Sequence, residues 1–247
     1  MNNYNSYSMS IAERILYSLI AAAAIFAIGF VFYRSPVLSA LLTPLALFYP
    51  RVKKKNIIDK RKKELNIQFK DMLYSLSSSL SAGKTVEAAF REVGKDLSVL
   101  YHDPSTFIMV EVSAITNKLD MNETIESALY DFANRSGLED VTNFANVFSI
   151  CKRSGGNIAE VIRNTSSIIN DRIEVSQEVD TMMAERRFEQ KVLNVVPILM
   201  IVLLSASAPD YMSPVFNTAT GRATMTGAIF LLVVAWYISD KVANIKM

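Results

Sequence analysis

The sequence has few of the residues that build reactive sites. Among its 247 residues there is one cysteine, Cys151, and one histidine, His102. A single cysteine cannot form an intramolecular disulfide, and no thiol or imidazole cluster is available to bind a metal ion. His102 stands in a turn-like stretch before Pro104, where we expect an exposed loop residue rather than a catalytic or ligating one. The sequence therefore predicts a protein that is not an enzyme and that needs no metal and no cofactor.

Helix-breaking residues are also scarce, with 8 glycines and 7 prolines. Long periodic segments with few breakers favour an all-α chain.

Charge is distributed unevenly, because residues 51–191 hold 21 basic and 21 acidic residues, whereas the rest of the chain holds 5 basic and 3 acidic residues. The net charge of +2 therefore conceals a neutral, polar middle region between two apolar ends.

The first apolar end contains a candidate membrane span. Residues 15–33 form a run of 19 residues without charge, which is long enough to cross a hydrocarbon core of about 30 Å. A cleaved signal peptide is the alternative, but such peptides have a basic segment before a shorter apolar run. Here Glu13 offsets Arg14, and a second apolar stretch follows at residues 37–49. Because Pro44 interrupts this second stretch, it is predicted either as a span or as a re-entrant or packed helix.

A dense basic run follows the second apolar stretch. Eight positive charges fall within thirteen residues, and such a run directly after an apolar segment marks the cytoplasmic side. A nucleic-acid site is the rival interpretation, but the rest of the middle region is charge-balanced. We therefore expect no nucleic acid and, instead, contact with anionic lipid headgroups. The run comprises Arg51, Lys53, Lys54, Lys55, Lys60, Arg61, Lys62 and Lys63.

Residues 192–208 and 223–239 form a second apolar pair, joined by a short connector that is expected to be an external turn. Arg186, Arg187 and Lys191 precede this pair, and Lys241 and Lys246 follow it. Since both flanks are basic, four spans with both termini and the middle region in the cytoplasm satisfy the positive-inside rule. The protein is therefore predicted to lie in the cytoplasmic (inner) membrane as a multi-pass protein.

The four apolar segments contain no Asp, Glu, His, Lys or Arg. Transporters and intramembrane proteases need ionisable groups within the membrane, so the sequence argues against a proton-coupled pump or an aspartyl peptidase. Asn194 is the strongest polar group in the third segment, and hydrogen bonding between helices is sufficient to explain it. Pro197 lies in the same segment and is expected to kink the helix.

Between the apolar ends, apolar residues recur at helical spacing and predict six helices joined by short loops. Each stripe is expected to form the core of a bundle rather than a cofactor site. Helix by helix, the predicted core positions are Leu65, Phe69, Met72, Leu73, Leu76 and Leu80; Val86, Ala89, Phe90 and Val93; Ile108, Val112, Ile115 and Leu119; Ile125, Leu129 and Phe132; Val141, Phe144, Ala145 and Phe148; and Ile158, Val161, Ile162, Ile168, Ile169, Ile173 and Val179.

Short-range signals mark the ends of these helices. Gly83 is expected to cap the first helix, and Thr85 is expected to open the second. Asp120 and Glu123 have capping-box spacing and predict the start of the fourth helix. Further breaks are predicted at Ser136 and Gly137, at Gly155 and Gly156, and at Asn157, which opens the sixth helix together with Glu160.

The sixth helix has no breaker before Pro197 and is expected to run into the third span, which would couple the domain mechanically to the membrane. The predicted fold is thus an all-α membrane protein, in which a cytoplasmic six-helix antiparallel bundle is flanked by two pairs of transmembrane helices. Its predicted segments are an N-terminal transmembrane hairpin (residues 1–50), a basic juxtamembrane segment (51–64), the helical bundle (65–190) and a C-terminal transmembrane hairpin (191–247).

Residues 81–85 (SAGKT) end like a phosphate-binding loop, in which a glycine-rich backbone after a strand surrounds a phosphate group. The complete motif needs a glycine at position 78, where this chain has Ser78, and the segment follows a predicted helix. Lys84 is therefore expected to lie at a helix junction and to bind no nucleotide.

Three stretches of the middle region resemble the type II secretion system F domain. They are residues 69–83 (FKDMLYSLSSSLSAG) with 86–90 (VEAAF), residues 126–135 (ESALYDFANR), and residues 155–162 (GGNIAEVI) with 169–172 (INDR). The resemblance covers about residues 65–190, and the flanking apolar pairs are similar to the TadB/TadC branch of this family.

The resemblance implies a platform protein in the inner membrane of a Flp/Tad, or type IV-like, pilus machine. Such platforms are expected to lie above a hexameric secretion ATPase and to help move pilin subunits into the fibre. Larger relatives carry the domain twice, whereas this chain has one copy, so the resemblance suggests pairing with itself or with a sister platform protein. A transporter or channel component with a regulatory helical domain is the alternative function.

If the sixth helix is a lever, exposed charges along it and near the Gly155-Gly156 turn are candidate contacts for the cytoplasmic motor. The alternative is that these charges only face solvent and contact no partner. The candidate partner contacts are Lys152, Arg153, Arg172, Glu185, Arg186 and Arg187.

Overall fold

The computed structural model describes residues 3–243, and every regular element in this part of the chain is a helix. The predicted all-α class is therefore confirmed. The elements are α1 (Ile11–Tyr33), α2 (Pro36–Leu42), a 3₁₀ helix (Thr43–Phe48), α3 (Tyr49–Ser81), α4 (Val86–Leu100), α5 (Phe107–Asp120), α6 (Ile125–Ser136), α7 (Glu139–Ser154), α8 (Ile158–Ser207), α9 (Pro209–Asn217) and α10 (Ala219–Ala243).

The described chain divides into two compact units. The helical unit contains residues 3–8 and 54–175, and the apolar unit contains residues 9–53 and 176–243. Helices α3 and α8 each begin in one unit and end in the other. The sequence pattern assigns residues 3–8 to the first hairpin, whereas in the structure they belong to the helical unit.

Aromatic side chains form the centre of the helical unit. The ring of Phe69 on α3 lies edge-on to Phe132 on α6, at 5.9 Å between centroids, and to Phe144 on α7, at 5.7 Å. All three side chains are buried, and each contributes roughly 1.5–3 kcal/mol through removal of apolar surface from water. The stripes predicted for α3 to α7 are buried or partly buried, so the helical periodicity identified this core correctly.

Most of the predicted helix ends are confirmed. Gly83 and Gly155 have positive φ angles of 80° and 69°, which glycine adopts at little cost because it has no Cβ. The Thr85 hydroxyl accepts a bond from the Ala88 amide at 3.3 Å. The predicted start of the fourth helix is wrong, because Thr124 accepts from the Ser127 amide and caps α6, while Asp120 ends α5.

Helix α8 is a single helix of 50 residues with Pro197 inside it. Its N-terminus is capped as predicted, since the Asn157 side chain accepts from the Glu160 amide at 3.2 Å. Ile162, Ile169 and Ile173 are buried, whereas Ile168 is 68% exposed. The prediction of Ile168 as a core residue is wrong, because consecutive helical residues differ by about 100° in direction and Ile169 already faces the core.

The described residues include three helices that are long and apolar enough to cross a membrane. These are Ile11–Tyr33, Ile158–Ser207 and Ala219–Ser239. The second predicted span, residues 37–49, is not such a helix. Residues 37–49 form α2 and a 3₁₀ helix that starts at Thr43, next to Pro44, and both contact α1. Together α2 and the 3₁₀ helix cover only about 22 Å, which is less than the thickness of a hydrocarbon core of about 30 Å.

The connector between the last two apolar helices is structured. It forms α9 (Pro209–Asn217), with Pro209 at the first turn, where the missing amide hydrogen costs nothing. Met212 and Phe216 of α9 pack in a cluster with Phe32 and Met225. The expectation of a simple external turn is therefore corrected to a short helix with its own apolar contacts. Lys246, one of the predicted basic flanks, lies outside the described residues.

Candidate partner surface

The Gly-Lys-Thr stretch lies at a junction between two helices, as predicted. Helix α3 ends at Ser81, α4 begins at Val86, and the Lys84 ammonium lies 3.5 Å from the Glu92 carboxylate. No strand precedes the stretch, so the backbone does not form the phosphate-binding arrangement. Among residues 3–243, no group of three or more His, Cys, Asp or Glu side chains is placed to hold a metal ion.

Two of the six candidate contact residues join helices within the helical unit. The Lys152 ammonium lies 2.8 Å from Glu126, and the Arg172 guanidinium lies 2.7 Å from Asp140. Partial burial raises the pKa of Glu126, but the hydrogen bond and charge of Lys152 outweigh burial and lower it. Both cations therefore stabilise the packing of α6, α7 and α8, in addition to any role at the surface.

The other four candidate residues lie nearer the surface of their own helices. Arg153 donates from Nε to the Ser149 carbonyl at 3.3 Å. Glu185 is exposed. Arg186 forms an ion pair with Glu189 at 3.2 Å, and Arg187 lies 3.9 Å from Asp180. Exposed pairs of this kind contribute about 0–1 kcal/mol, so these side chains can exchange an intrahelical partner for an external one at little cost.

A groove between α3 and α8, lined by residues of polar types, was not predicted. It has a volume of about 550 Å³, and two cations, Lys70 and Arg163, stand among its lining residues. Both walls carry serines, three on α3 and two on α8. The serine-rich run in residues 75–81 was the available sequence signal. The remaining lining residues are Asp71, Tyr74, Ser77, Ser78, Ser81, Ser166, Ser167 and Asn170.

On the α3 wall of the groove, the Asp71 side chain is held by two contacts. The Tyr101 hydroxyl donates to Asp71 Oδ2 at 2.6 Å, and Lys70 lies 3.9 Å from Asp71 Oδ1. Burial and the bond to this carboxylate together raise the pKa of Tyr101, so its proton stays in place at every physiological pH. Tyr74, by contrast, is 76% exposed at the mouth of the groove. Tyrosine is among the residues that are enriched at protein interfaces, so the exposed Tyr74 ring favours this face as a contact surface.

A buried charge network was also missed by the sequence reasoning. Glu111 on α5 is fully buried, and both of its oxygens lie within 2.7 Å of the Arg135 guanidinium on α6. Arg135 also contacts Asp131 at 3.1 Å, which in turn lies 3.1 Å from Lys118. Burial opposes ionisation of Asp131, but the bonds to Lys118 and Arg135 outweigh it and lower its pKa. Two charges 24 residues apart give no local signal in the sequence.

Comparison with known proteins places these features in one family. No curated protein and no solved structure matches the chain. Residues 72–206, more than half of the chain, match the family described as type II secretion system (T2SS), protein F. The match begins in α3, includes the helix junctions and every groove residue except Lys70 and Asp71, and ends one residue before the end of α8. The chain therefore belongs to the type II secretion system protein F family of platform components in secretion and pilus machinery.

Proposed function

We propose that this protein is a non-enzymatic platform in the inner membrane, which couples a hexameric secretion ATPase to the movement of pilin subunits. Helix α8 is the observation that carries the proposal. Its first half packs on the helical unit through Ile162, Ile169 and Ile173, and its last part is apolar enough to span a membrane. A motion imposed on the helical unit would therefore act on a membrane helix through one helix, which contains Pro197 in its apolar part.

The proposed topology places both termini and the helical unit in the cytoplasm. The basic run at residues 51–63 supports this side by the positive-inside rule. Residues 3–8 and 54–175 belong to one compact unit, which supports a topology in which the chain between them enters and leaves the membrane on the same face.

The return crossing would use the short helices after α1. Backbone angles stay right-handed helical at Leu42, Thr43 and Tyr49, where α2, the 3₁₀ helix and α3 meet. With the first turn of α3, this continuous segment covers about 28 Å, close to the thickness of the hydrocarbon core. We propose that this segment completes the first of two transmembrane pairs, beside an antiparallel six-helix cytoplasmic bundle.

The proposed partners follow from the surfaces of the two units. The ATPase would contact exposed charges on α8 around Arg186 and Arg187, together with the groove between α3 and α8. Anionic lipids would contact the basic run, and nucleic acid is not a proposed partner. One copy of the domain fits pairing with itself or with a sister platform protein of the TadB/TadC type in a Flp/Tad pilus machine.

Reversing the charge of Arg186 and Arg187 together tests the motor contact. In the native host, the variant with both residues changed to Glu should accumulate in the membrane, fail to retain the ATPase on purification and assemble no pilus. The double variant Arg91→Glu with Lys95→Glu, on an exposed face of α4, is the matched control and should retain both activities. Normal ATPase retention and normal assembly in the α8 variant would reject the contact.

A further inference from the structure

The segment before α1 is bound to the helical unit through a buried tyrosine. Tyr4 is only 4% exposed, and its hydroxyl donates to Glu111 Oε1 at 2.9 Å. Its ring lies edge-on to Phe107 at 5.5 Å between centroids, and its amide donates to the Arg135 carbonyl at 3.0 Å. Tyr4 is thus recognised by its ring, its hydroxyl and its backbone, by partners that lie more than 100 residues away in the chain.

The charges around the Tyr4 hydroxyl explain why a tyrosine binds here. A fully buried carboxylate is costly unless each of its oxygens receives hydrogen bonds. Arg135 contacts both oxygens of Glu111, and the Tyr4 hydroxyl adds a further donor to Oε1. Phenylalanine would fill the same space but would remove that donor.

The neighbouring residues extend the contact along the segment. Asn5 donates from Nδ2 to the carbonyl of Asn134 at 3.2 Å. Asn5 also lies where a Cβ on Gly137 would stand, so the absence of a side chain at Gly137 makes room for it. The Tyr7 ring lies 4.4 Å from the guanidinium of Arg61 on α3. Contacts of Tyr4, Asn5 and Tyr7 therefore hold the segment against α3, α5 and α6.

We infer that the slot lined by Phe107, Glu111, Arg135 and Gly137 is a recognition site for the chain's own residues 3–8. The docked segment anchors the residues that lead into α1 to the helical unit, in addition to the covalent connections through α3 and α8. Docking itself does not depend on the platform role. Its mechanical use does, because a docked segment would transmit motion of the helical unit to α1 as well as to α8.

Hydrogen exchange of the full-length protein in lipid nanodiscs tests the docking without any assay of assembly. The Tyr4 amide should be protected, because its partner is the Arg135 carbonyl. Tyr4→Phe should accelerate exchange at this amide by about 10- to 100-fold, since a hydrogen bond to a buried charged group is lost. Ser6→Ala, at an exposed position in the same segment, is the control and should change exchange by less than about twofold.

Two further measurements distinguish local release of residues 3–8 from unfolding of the whole helical unit and from contacts between two copies. The amide of Phe144 in the core of α7 should exchange equally slowly in all variants, which shows that only the segment opens. A short bis-maleimide should join Asn5→Cys to Asn134→Cys within one chain. An unprotected Tyr4 amide in the wild type, no acceleration in Tyr4→Phe, or crosslinks formed between two copies would each overturn the inference. Because no outcome involves the ATPase or pilin, failure of the docking and failure of the platform role remain distinguishable.

Discussion

Gly83 offers a substitution whose effect on stability follows from a single backbone angle. It stands just after α3 with φ at 80°, and the Lys84 amide bonds back to the Ser79 carbonyl at 3.3 Å. The Gly83 amide bonds to the Leu80 carbonyl at 2.9 Å, so the end of the helix forms a Schellman motif. A Cβ added here would meet no atom within 4 Å, so the cost of Gly83→Ala is conformational and not steric.

The expected change in the free energy of unfolding is the difference between two contributions. An L-residue in the left-handed region costs roughly 1–2 kcal/mol. Alanine also restricts the unfolded chain more than glycine does, which offsets about 0.4–1 kcal/mol. The net destabilisation of Gly83→Ala is therefore about 1 kcal/mol. For a unit of this size, such a change lowers the unfolding midpoint by roughly 3–5 °C.

The chain supplies both the reporter and the matched control. Cys151 is the only cysteine and is 7% exposed, so a thiol-reactive fluorophore reports unfolding of the helical unit in detergent as the sample is heated. Gly94 lies inside α4, and a Cβ there would make an ordinary contact of 3.7 Å with Val112. Gly94→Ala should therefore raise the midpoint by a similar amount, because alanine favours a helix interior by about 1 kcal/mol. A midpoint that Gly83→Ala leaves unchanged or raises would refute the reasoning.

Three other predictions test separate parts of the account. An impermeant thiol reagent applied to intact cells should label Thr218→Cys but not Lys60→Cys, and the reverse pattern would contradict the proposed topology. Lys84→Ala should leave pilus assembly unchanged; nucleotide binding by the purified protein that this variant loses would contradict a simple helix junction. The folded pKa of Asp131 lies below its unfolded value, so its contribution to stability is present above about pH 4 and is lost as the pH falls through the lower folded pKa. Thermal unfolding followed by circular dichroism should show a smaller loss of midpoint below pH 4 in Asp131→Asn than in the wild type, and an equal loss in both proteins would remove Asp131 as a cause.

The helical core was predictable because its signal repeats. Phe69, Phe132 and Phe144 each stand in a stripe of apolar residues three or four positions apart, and only a helix brings such residues to one face. Several turns of each helix contribute to the same pattern, so a single misplaced residue such as Ile168 does not change the result. The glycine ends at Gly83, Gly137 and Gly155 were predictable for a local reason, since each combines a glycine with the end of a stripe.

Sequence reasoning fails where two local signals compete for the same helix end, and where the interacting residues lie far apart in the chain. Asp120 with Glu123 has the spacing of a capping box, but Thr124 lies one residue before the apolar stripe of α6 and takes the cap instead. Residues 37–49 were predicted either as a span or as a re-entrant or packed helix, and a 3₁₀ helix begins beside Pro44, so α2 and the 3₁₀ helix do not form one long α-helix. Tyr4 and Glu111 meet only because the fold brings residues 107 positions apart together, and no local pattern reports such a contact.

Interrupting α8 tests the proposed coupling most directly. Gln177 is exposed, and Gln177→Pro removes one backbone hydrogen bond and places its ring against the carbonyl of Ile173, at a cost of about 3 kcal/mol within the helix. Gln177→Ala keeps the helix intact and is the matched control. If α8 transmits motion from the helical unit to the membrane, both variants should accumulate and retain the ATPase, but only Gln177→Ala should assemble pili. Normal pilus assembly by Gln177→Pro, with the protein present at wild-type level, would contradict the coupling and leave a passive scaffold.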